Sequence, residues 1–140
     1  PPPHLHVKRR RQSQMCIRDR FTTGLDLTDR KLQEELKKKG LPWFPAKSFK
    51  GSAVLDTNFI TLECPKEFFL TINQKTKQLG NLKDMIFSFE SILLHISKIV
   101  NLKKGDLIFT GTPEGVGPLV KGDQIEMGFK GYPSKKLIVI

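Results

Sequence analysis

Cysteine, tryptophan and tyrosine are scarce: the 140 residues include two Cys, one Trp and one Tyr. Cys16 and Cys64 are too few for a disulfide framework and lie in no Cys/His cluster with zinc spacing, which indicates a reducing compartment. No apolar run approaches the roughly 20 residues of a membrane span, and the proline-led start lacks the apolar centre of a secretory signal. We therefore predict a cytoplasmic chain that has no membrane partner.

Acidic residues are few: 14 Asp and Glu face 24 Lys and Arg, which gives a net charge of +10. Six Lys and Arg residues against one Asp place half of this charge in residues 1–20. A basic nucleic-acid-binding module is the function class that such a charge suggests, but it needs the charge on the folded body together with stacking aromatic residues. Because the body has one Trp and one Tyr, we expect no nucleic-acid partner.

Residues 1–20 have a second interpretation. Met15-Cys-Ile-Arg-Asp-Arg20 is what the codons ATG TGT ATA AGA GAC AG would encode, and this string resembles a transposon end used in sequencing libraries. Translated upstream in the same frame, such a library adapter would encode a stretch that differs from Arg10-Arg-Gln-Ser-Gln14 at a single residue. We therefore expect residues 1–20 to be a non-native, disordered basic arm and residues 21–140 to be part of a catalytic domain.

Two helices are expected in the body. Thr28 or Asp29 can cap the first, which Gly40 and Pro42 would end. Apolar residues at helical spacing predict the second over residues 85–100. Residues 41–65 are rich in loop residues, with short strands expected near 53–55 and 59–62.

Strands dominate the remaining predictions. A strand-like run leads from Phe21 to Asp26, and residues 68–72 and 76–79 read as a hairpin that turns at Asn73, a residue that tolerates positive φ. Three further strands are expected over residues 106–110, 124–127 and 136–140. The predicted fold class is α+β, mainly β, with two helices.

Five side chains are candidates for a functional site. Asp26 lies between a strand and a helix, where a carboxylate suits either Mg²⁺ or Mn²⁺ binding or a helix cap. Arg30 and Gln33 share a helix face and are either a carboxylate-binding pair or an ordinary surface pair. Lys47 either contacts a substrate oxygen or points to solvent. Thr112 lies in a Gly-rich turn whose spacing fits neither the P-loop nor the dinucleotide fingerprint, so a small ligand is more plausible than a phosphate.

Three stretches occur in one order: Gly24-Leu-Asp-Leu-Thr-Asp-Arg30 with Gln33, then Leu41-Pro-Trp-Phe-Pro-Ala-Lys-Ser-Phe49, then Phe109-Thr-Gly-Thr-Pro-Glu-Gly-Val-Gly117. Over about residues 21–140 the chain resembles the fumarylacetoacetate hydrolase family, metal-dependent enzymes that act on small 1,3-dicarbonyl acids. Within it, the sequence is most similar to the acylpyruvate hydrolase and oxaloacetate decarboxylase branch. The resemblance implies the C-terminal part of that family's β-roll.

The resemblance also implies roles for the five candidates. Asp26 is a metal ligand, Arg30 and Gln33 bind substrate, Lys47 is catalytic beside the metal, and Thr112 binds a carboxylate or keto oxygen of the substrate. The implied cofactor is Mg²⁺ or Mn²⁺, and the implied assembly of the intact parent is a homodimer. The implied reaction is hydrolysis of a carbon-carbon bond, with oxaloacetate decarboxylation or dienedioate isomerisation as alternatives.

One departure from the family bears on activity. Similar proteins carry a Glu-x-Glu strand upstream of Asp26 that supplies two more metal ligands, and a His/Glu pair that activates water, whereas residues 1–20 contain no Glu. We therefore expect an incomplete metal site and an inactive fragment of a longer enzyme.

Overall fold

The computed structural model describes residues 20–61 and 67–140. The predicted arm therefore lies outside the described residues, apart from Arg20. Eight strands and three α-helices follow one another within the described ranges: β1 (Arg20–Phe21), β2 (Gly24–Asp26), α1 (Arg30–Lys38), α2 (Phe44–Lys47), β3 (Ala53–Leu55), β4 (Ile60–Thr61), β5 (Glu67–Ile72), β6 (Lys75–Asn81), α3 (Phe89–Ser97), β7 (Gln124–Phe129) and β8 (Lys135–Ile138). None of the helices described is both long and apolar enough to cross a bilayer.

A four-stranded antiparallel sheet in the order β6-β5-β7-β8 contains most of the core. Alternate residues of β7 point to one face, so Ile125, Met127 and Phe129 are all buried. Phe68 of β5 stands opposite Phe129, with ring centroids 6.4 Å apart in an edge-on arrangement. On its other side the Phe68 ring covers Gly80 of β6, where a Cβ would overlap it.

The two outer strands of this sheet, β6 and β8, are rich in lysine. β6 carries Lys75 and Lys77, and β8 carries Lys135 and Lys136. Two smaller sheets, β1 with β4 and β2 with β3, are also antiparallel.

The β5-β6 hairpin turns at Asn73 as predicted. Asn73 and Gln74 have φ values of 49° and 64°, the left-handed pair of a two-residue hairpin turn. The Asn73 side chain donates to Asp123 over 2.8 Å and accepts from the backbone N–H of Gln124 over 2.9 Å. The Val120 N–H and the Asn73 amide lower the pKa of Asp123, because both hydrogen bonds favour the ionised carboxylate. This turn is therefore tied to the start of β7.

Helix α1 begins and ends where the sequence indicates. Asp29 is its N-cap and accepts from the Leu32 N–H over 3.0 Å. At the other end Gly40 has a φ of 65°. Its N–H donates to the backbone carbonyl of Lys37, and the Leu41 N–H donates to the backbone carbonyl of Leu36. These paired bonds form a Schellman motif, which needs glycine at the left-handed position.

Three predicted elements differ from the structure. The second helix is shorter than residues 85–100 because the Ser88 hydroxyl caps it and accepts from the Ser91 N–H. The count of two helices is wrong, since α2 forms a single turn with Pro45 in its first turn. The strand over 106–110 is also wrong, because this segment pairs with no strand in the described part of the chain.

Candidate functional site

Asp26 and Lys47 meet where β2 ends. The Lys47 Nζ lies 2.8 Å from the Asp26 Oδ1 and donates to the Thr28 Oγ1 over 2.7 Å. Both ion-pair partners are partly exposed, so the pair is open to solvent. Asp26 is therefore not the helix cap, a role that Asp29 fills.

Local backbone bonds explain why these side chains meet. Strand β2 pairs with β3, and the Leu27 N–H extends the contact by donating to the Ser52 carbonyl over 2.7 Å. The Asp29 N–H donates to the carbonyl of Ala46, which is fully buried, over 2.9 Å. The start of α1 is thus joined to α2, which presents Lys47.

Arg30 and Gln33 form the second pair, one turn apart on α1. An Arg30 Nη1 N–H donates to the Gln33 Oε1 over 3.0 Å. Gln33 is only 8% exposed, so its amide is held against the protein while the Arg30 end is open. The bond occupies the amide oxygen and leaves N–H groups of both side chains as donors, which suits an anionic ligand.

Thr112 lies in segment 109–117, which three contacts hold. At its start, the ring of Phe109 lies against Gly24 of β2, where a Cβ would come within 3.2 Å of it. Further along, the Gln78 Nε2 of β6 donates to the Thr112 Oγ1 over 2.7 Å and to the Pro113 carbonyl over 2.9 Å. Gly115, with a φ of 99°, packs so closely on the Lys77 carbonyl that a side chain would collide with it.

The structure therefore brings four predicted residues into two pairs, Asp26 with Lys47 and Arg30 with Gln33. Thr112 makes no direct hydrogen bond to either pair within the described ranges; its segment approaches them through Phe109 and Gly24. Sequence reasoning missed two residues that hold this arrangement. Thr28 could have been found from its position two residues after Asp26, whereas no sequence signal indicates Gln78.

The residues described do not by themselves fit a divalent metal. Among residues 20–61 and 67–140 there is no group of three His, Cys, Asp or Glu side chains that could hold an ion. Asp26 offers one carboxylate, and the Lys47 ammonium already neutralises it. A hard cation such as Mg²⁺ needs several oxygen ligands in place of water.

The family comparison matches residues 10–137 to the C-terminal domain of fumarylacetoacetate (FAA) hydrolase. This match begins inside the segment that the sequence analysis assigned to the arm. Among curated proteins, the mitochondrial oxaloacetate tautomerase FAHD1 of Mus musculus is 44% identical over 123 residues, which are 85% of this chain and 56% of the relative. The human protein of the same name is 43% identical over 118 residues, which are 81% of this chain and 53% of the relative.

Solved structures share the fold. Fumarylpyruvate hydrolase from Pseudomonas aeruginosa, in complex with Mn²⁺ and pyruvate, is 28% identical with a TM-score of 0.78, over 86% of this chain and 54% of that one. A 2-hydroxyhepta-2,4-diene-1,7-dioate isomerase from Mycobacterium marinum is 30% identical with a TM-score of 0.73, over 85% and 46%. The predicted mainly β fold is confirmed, and the chain spans about half the length of these relatives.

Proposed function

The chain belongs to the fumarylacetoacetate hydrolase family, and on that premise we propose that its site serves a divalent-metal-dependent hydrolysis of carbon-carbon bonds in small 1,3-dicarbonyl acids. The substrates would be of the acylpyruvate or fumarylpyruvate type. The observation that carries the proposal is the contact of 2.8 Å between Lys47 and Asp26, with the Arg30 and Gln33 pair on the helix that follows.

Arg30 and Gln33 are proposed to hold the substrate carboxylate. The guanidinium is planar, permanently charged and able to bind both oxygens of a carboxylate. The bond to Gln33 orients it, and Gln33 is in turn fixed by burial. A substrate whose carboxylate is held at the start of α1 would lose less entropy on reaching the reactive geometry.

Lys47 is proposed as the catalytic residue. In the hydrolysis, water adds to one carbonyl carbon and the bond from that carbon to the central carbon of the 1,3-dicarbonyl unit breaks. The departing fragment carries negative charge on its enolate oxygen, and a nearby ammonium stabilises that charge. The hydroxyl of Thr28 and the carboxylate of Asp26 hold the Lys47 ammonium in one place before substrate arrives. The Thr112 hydroxyl is proposed to donate a hydrogen bond to a carboxylate or keto oxygen of the substrate.

Asp26 is proposed as one ligand of Mg²⁺ or Mn²⁺, the ion supplying charge to polarise the dicarbonyl unit. Since the described residues do not complete this site, its other ligands would come from protein outside them. Residues 21–140 would then be part of a catalytic domain, and we expect this chain alone to be inactive.

The experiment compares this chain with an extended version, in which the upstream segment of the Mus musculus relative replaces residues 1–20 and is joined to Phe21. Each protein is mixed with acetylpyruvate and Mn²⁺ or Mg²⁺, and release of pyruvate is measured. We expect turnover only in the extended protein, and a loss of about 100-fold or more on Lys47→Met, as for loss of one group that stabilises an oxyanion.

Lys50→Met is the matched control, because Lys50 is exposed in the turn just after α2. The proposal is wrong if the extended, folded protein is inactive on acylpyruvates, or if Lys50→Met costs as much activity as Lys47→Met.

Oxaloacetate tautomerisation is a second candidate, favoured by the identity of 44% to a protein named for that activity. Tautomerisation interconverts the keto and enol forms by moving a proton between carbon and oxygen. It needs neither cleavage of a carbon-carbon bond nor attack by water. Decarboxylation and dienedioate isomerisation pass through the same kind of enolate. Following the enol absorbance of oxaloacetate with the same extended protein and its Lys47→Met variant tests this candidate; tautomerisation without acetylpyruvate hydrolysis would replace the first proposal.

Two further proposals concern the oligomeric state and the cellular compartment of the intact protein. We propose that the intact protein is a homodimer, which is supported by large apolar side chains exposed at and around α3, including Ile86, Phe87 and Ile99. Light scattering on the extended protein would contradict this if it gave a monomer mass. The cytoplasm stays our prediction, although the two oxaloacetate tautomerases named above are mitochondrial.

A further inference from the structure

Gln78 is the side chain that connects the rigid hairpin to the Thr112 segment. Its amide nitrogen donates to the Thr112 Oγ1 over 2.7 Å and to the Pro113 carbonyl over 2.9 Å. Both N–H groups of the amide are thereby used on two consecutive residues of the segment. Thr112 itself is exposed, so these bonds, rather than burial, orient it.

The direction of the first bond decides what the Thr112 hydroxyl can do. A hydroxyl has one O–H donor and two acceptor lone pairs. Because Gln78 donates to one lone pair, the hydroxyl proton is left to donate elsewhere. A threonine so held is a hydrogen-bond donor to a ligand oxygen.

We infer that Gln78 is a positioning residue that fixes Thr112 as a donor to the carboxylate or keto oxygen of a 2-keto acid. The inference rests on the proposed function for the ligand, while the coupling between Gln78 and Thr112 stands on geometry alone. Gln78 acts through Thr112 and does not itself touch the substrate.

The surroundings make Gln78 suitable for this task. It lies inside β6 opposite Leu70 of β5, so its backbone is held by the sheet. The next contact of the segment, Gly115 on the carbonyl of Lys77, lies beside it on the same strand. A segment without its own strand pairing is thus positioned by a regular element, which holds a site more precisely than a free loop would.

The experiment uses the whole chain and two near-isosteric, uncharged changes, Gln78→Met and Gln124→Met. Gln124 is the control because it is exposed on β7 and its only hydrogen bonds in the described structure are made by its backbone. Three-bond couplings of the Thr112 methyl group report its χ1 rotamer by NMR in this chain, and titration of the same variants of the extended protein with pyruvate and Mn²⁺ reports ligand binding.

We expect Gln78→Met to change one Thr112 rotamer into an average of several and to weaken pyruvate binding about tenfold. This corresponds to one or two lost hydrogen bonds. Gln124→Met should change none of these. In the reverse direction, Thr112→Val should shift the side-chain NH₂ resonances of Gln78.

The pH dependence of pyruvate binding distinguishes a positioning role of Gln78 from a merely structural one. In Gln78→Glu the introduced carboxylate can only accept at neutral pH, so the Thr112 hydroxyl turns its proton to it and pyruvate binding should fall. Binding should partly return as the pH drops through about 4.3, where a glutamate regains an O–H donor. Merely structural damage would not be reversed by acid.

An unchanged Thr112 rotamer in Gln78→Met, or the same averaging in Gln124→Met, overturns the inference. If the wild-type extended protein binds no pyruvate, the substrate role of Thr112 in the proposed function is contradicted, and the rotamer measurement on this chain still decides whether Gln78 positions Thr112.

Discussion

Met127 should be the side chain whose loss costs most stability. It is 2% exposed, lies in β7 between β5 and β8, and is the largest fully buried side chain of the residues described. Met127→Ala removes three heavy atoms from the centre of the four-stranded sheet. Truncations of this kind cost 2–5 kcal/mol, and we expect about 3 kcal/mol because few neighbouring core residues can move in to fill the cavity.

Urea unfolding followed by circular dichroism measures this change in the free energy of unfolding. At about 4 °C per kcal/mol for a domain of this size, thermal melting should move down by roughly 10–15 °C. Leu79→Ala is the matched control, since Leu79 is 66% exposed on the edge strand β6 and should change stability by only about 0.5 kcal/mol. Met127→Leu conserves volume and should cost less than about 1.5 kcal/mol. If Met127→Ala costs no more than Leu79→Ala, the core is not where the burial of β7 places it.

Three further outcomes are expected. The pKa of Asp123 is lowered in the folded protein, so ionised Asp123 adds to the free energy of unfolding above the ordinary pKa of 3.8, and this stabilisation is lost as the pH falls through the folded pKa. When the free energy of unfolding is measured against pH, Asp123→Asn should therefore show a smaller loss of stability in acid than the wild type. Gly115→Ala should displace its segment and shift the NMR amide resonances of residues 109–117, because the Cβ meets the Lys77 carbonyl at a positive φ, whereas Gly117→Ala, with open space around it, should not. Asp29→Ala should cost about 1 kcal/mol by urea unfolding, and Asp29→Ser should restore most of it, as expected for an N-cap; equal costs for both would contradict the capping role.

Elements that depend on local chemistry could be predicted from the sequence. Asn73 tolerates the left-handed backbone, and Asp29 with Gly40 bounds α1 through bonds within a few residues. The sequence did not predict the single turn of α2 because Pro42 and Pro45 are typical of loops, and the bond that joins it to the start of α1 forms only in the folded chain.

Elements that depend on distant partners could not be predicted. The apolar residues of segment 106–110 have the pattern of a strand, but a strand exists only where another backbone pairs with it. Arg30 and Gln33 lie one helical turn apart, so their pairing could be anticipated from spacing, whereas the position of Lys47 beside Asp26 was implied only by the family resemblance. Gln78 is 34 residues away from Thr112, and its role emerges only when the hairpin is folded beside the segment.

The lysines at the two outer strands of the main sheet affect how separate molecules meet. An exposed strand edge is a template for another chain, and positive side chains on it repel a second copy approaching edge to edge. Segment 109–117 covers part of β6 through Gly115, and the lysines protect the rest: Lys75 and Lys77 lie on one outer strand and Lys135 and Lys136 on the other, so a second copy that pairs edge to edge brings like charges together. Salt screens such charges over about 8 Å at physiological ionic strength, so resistance to aggregation should decline as salt is raised.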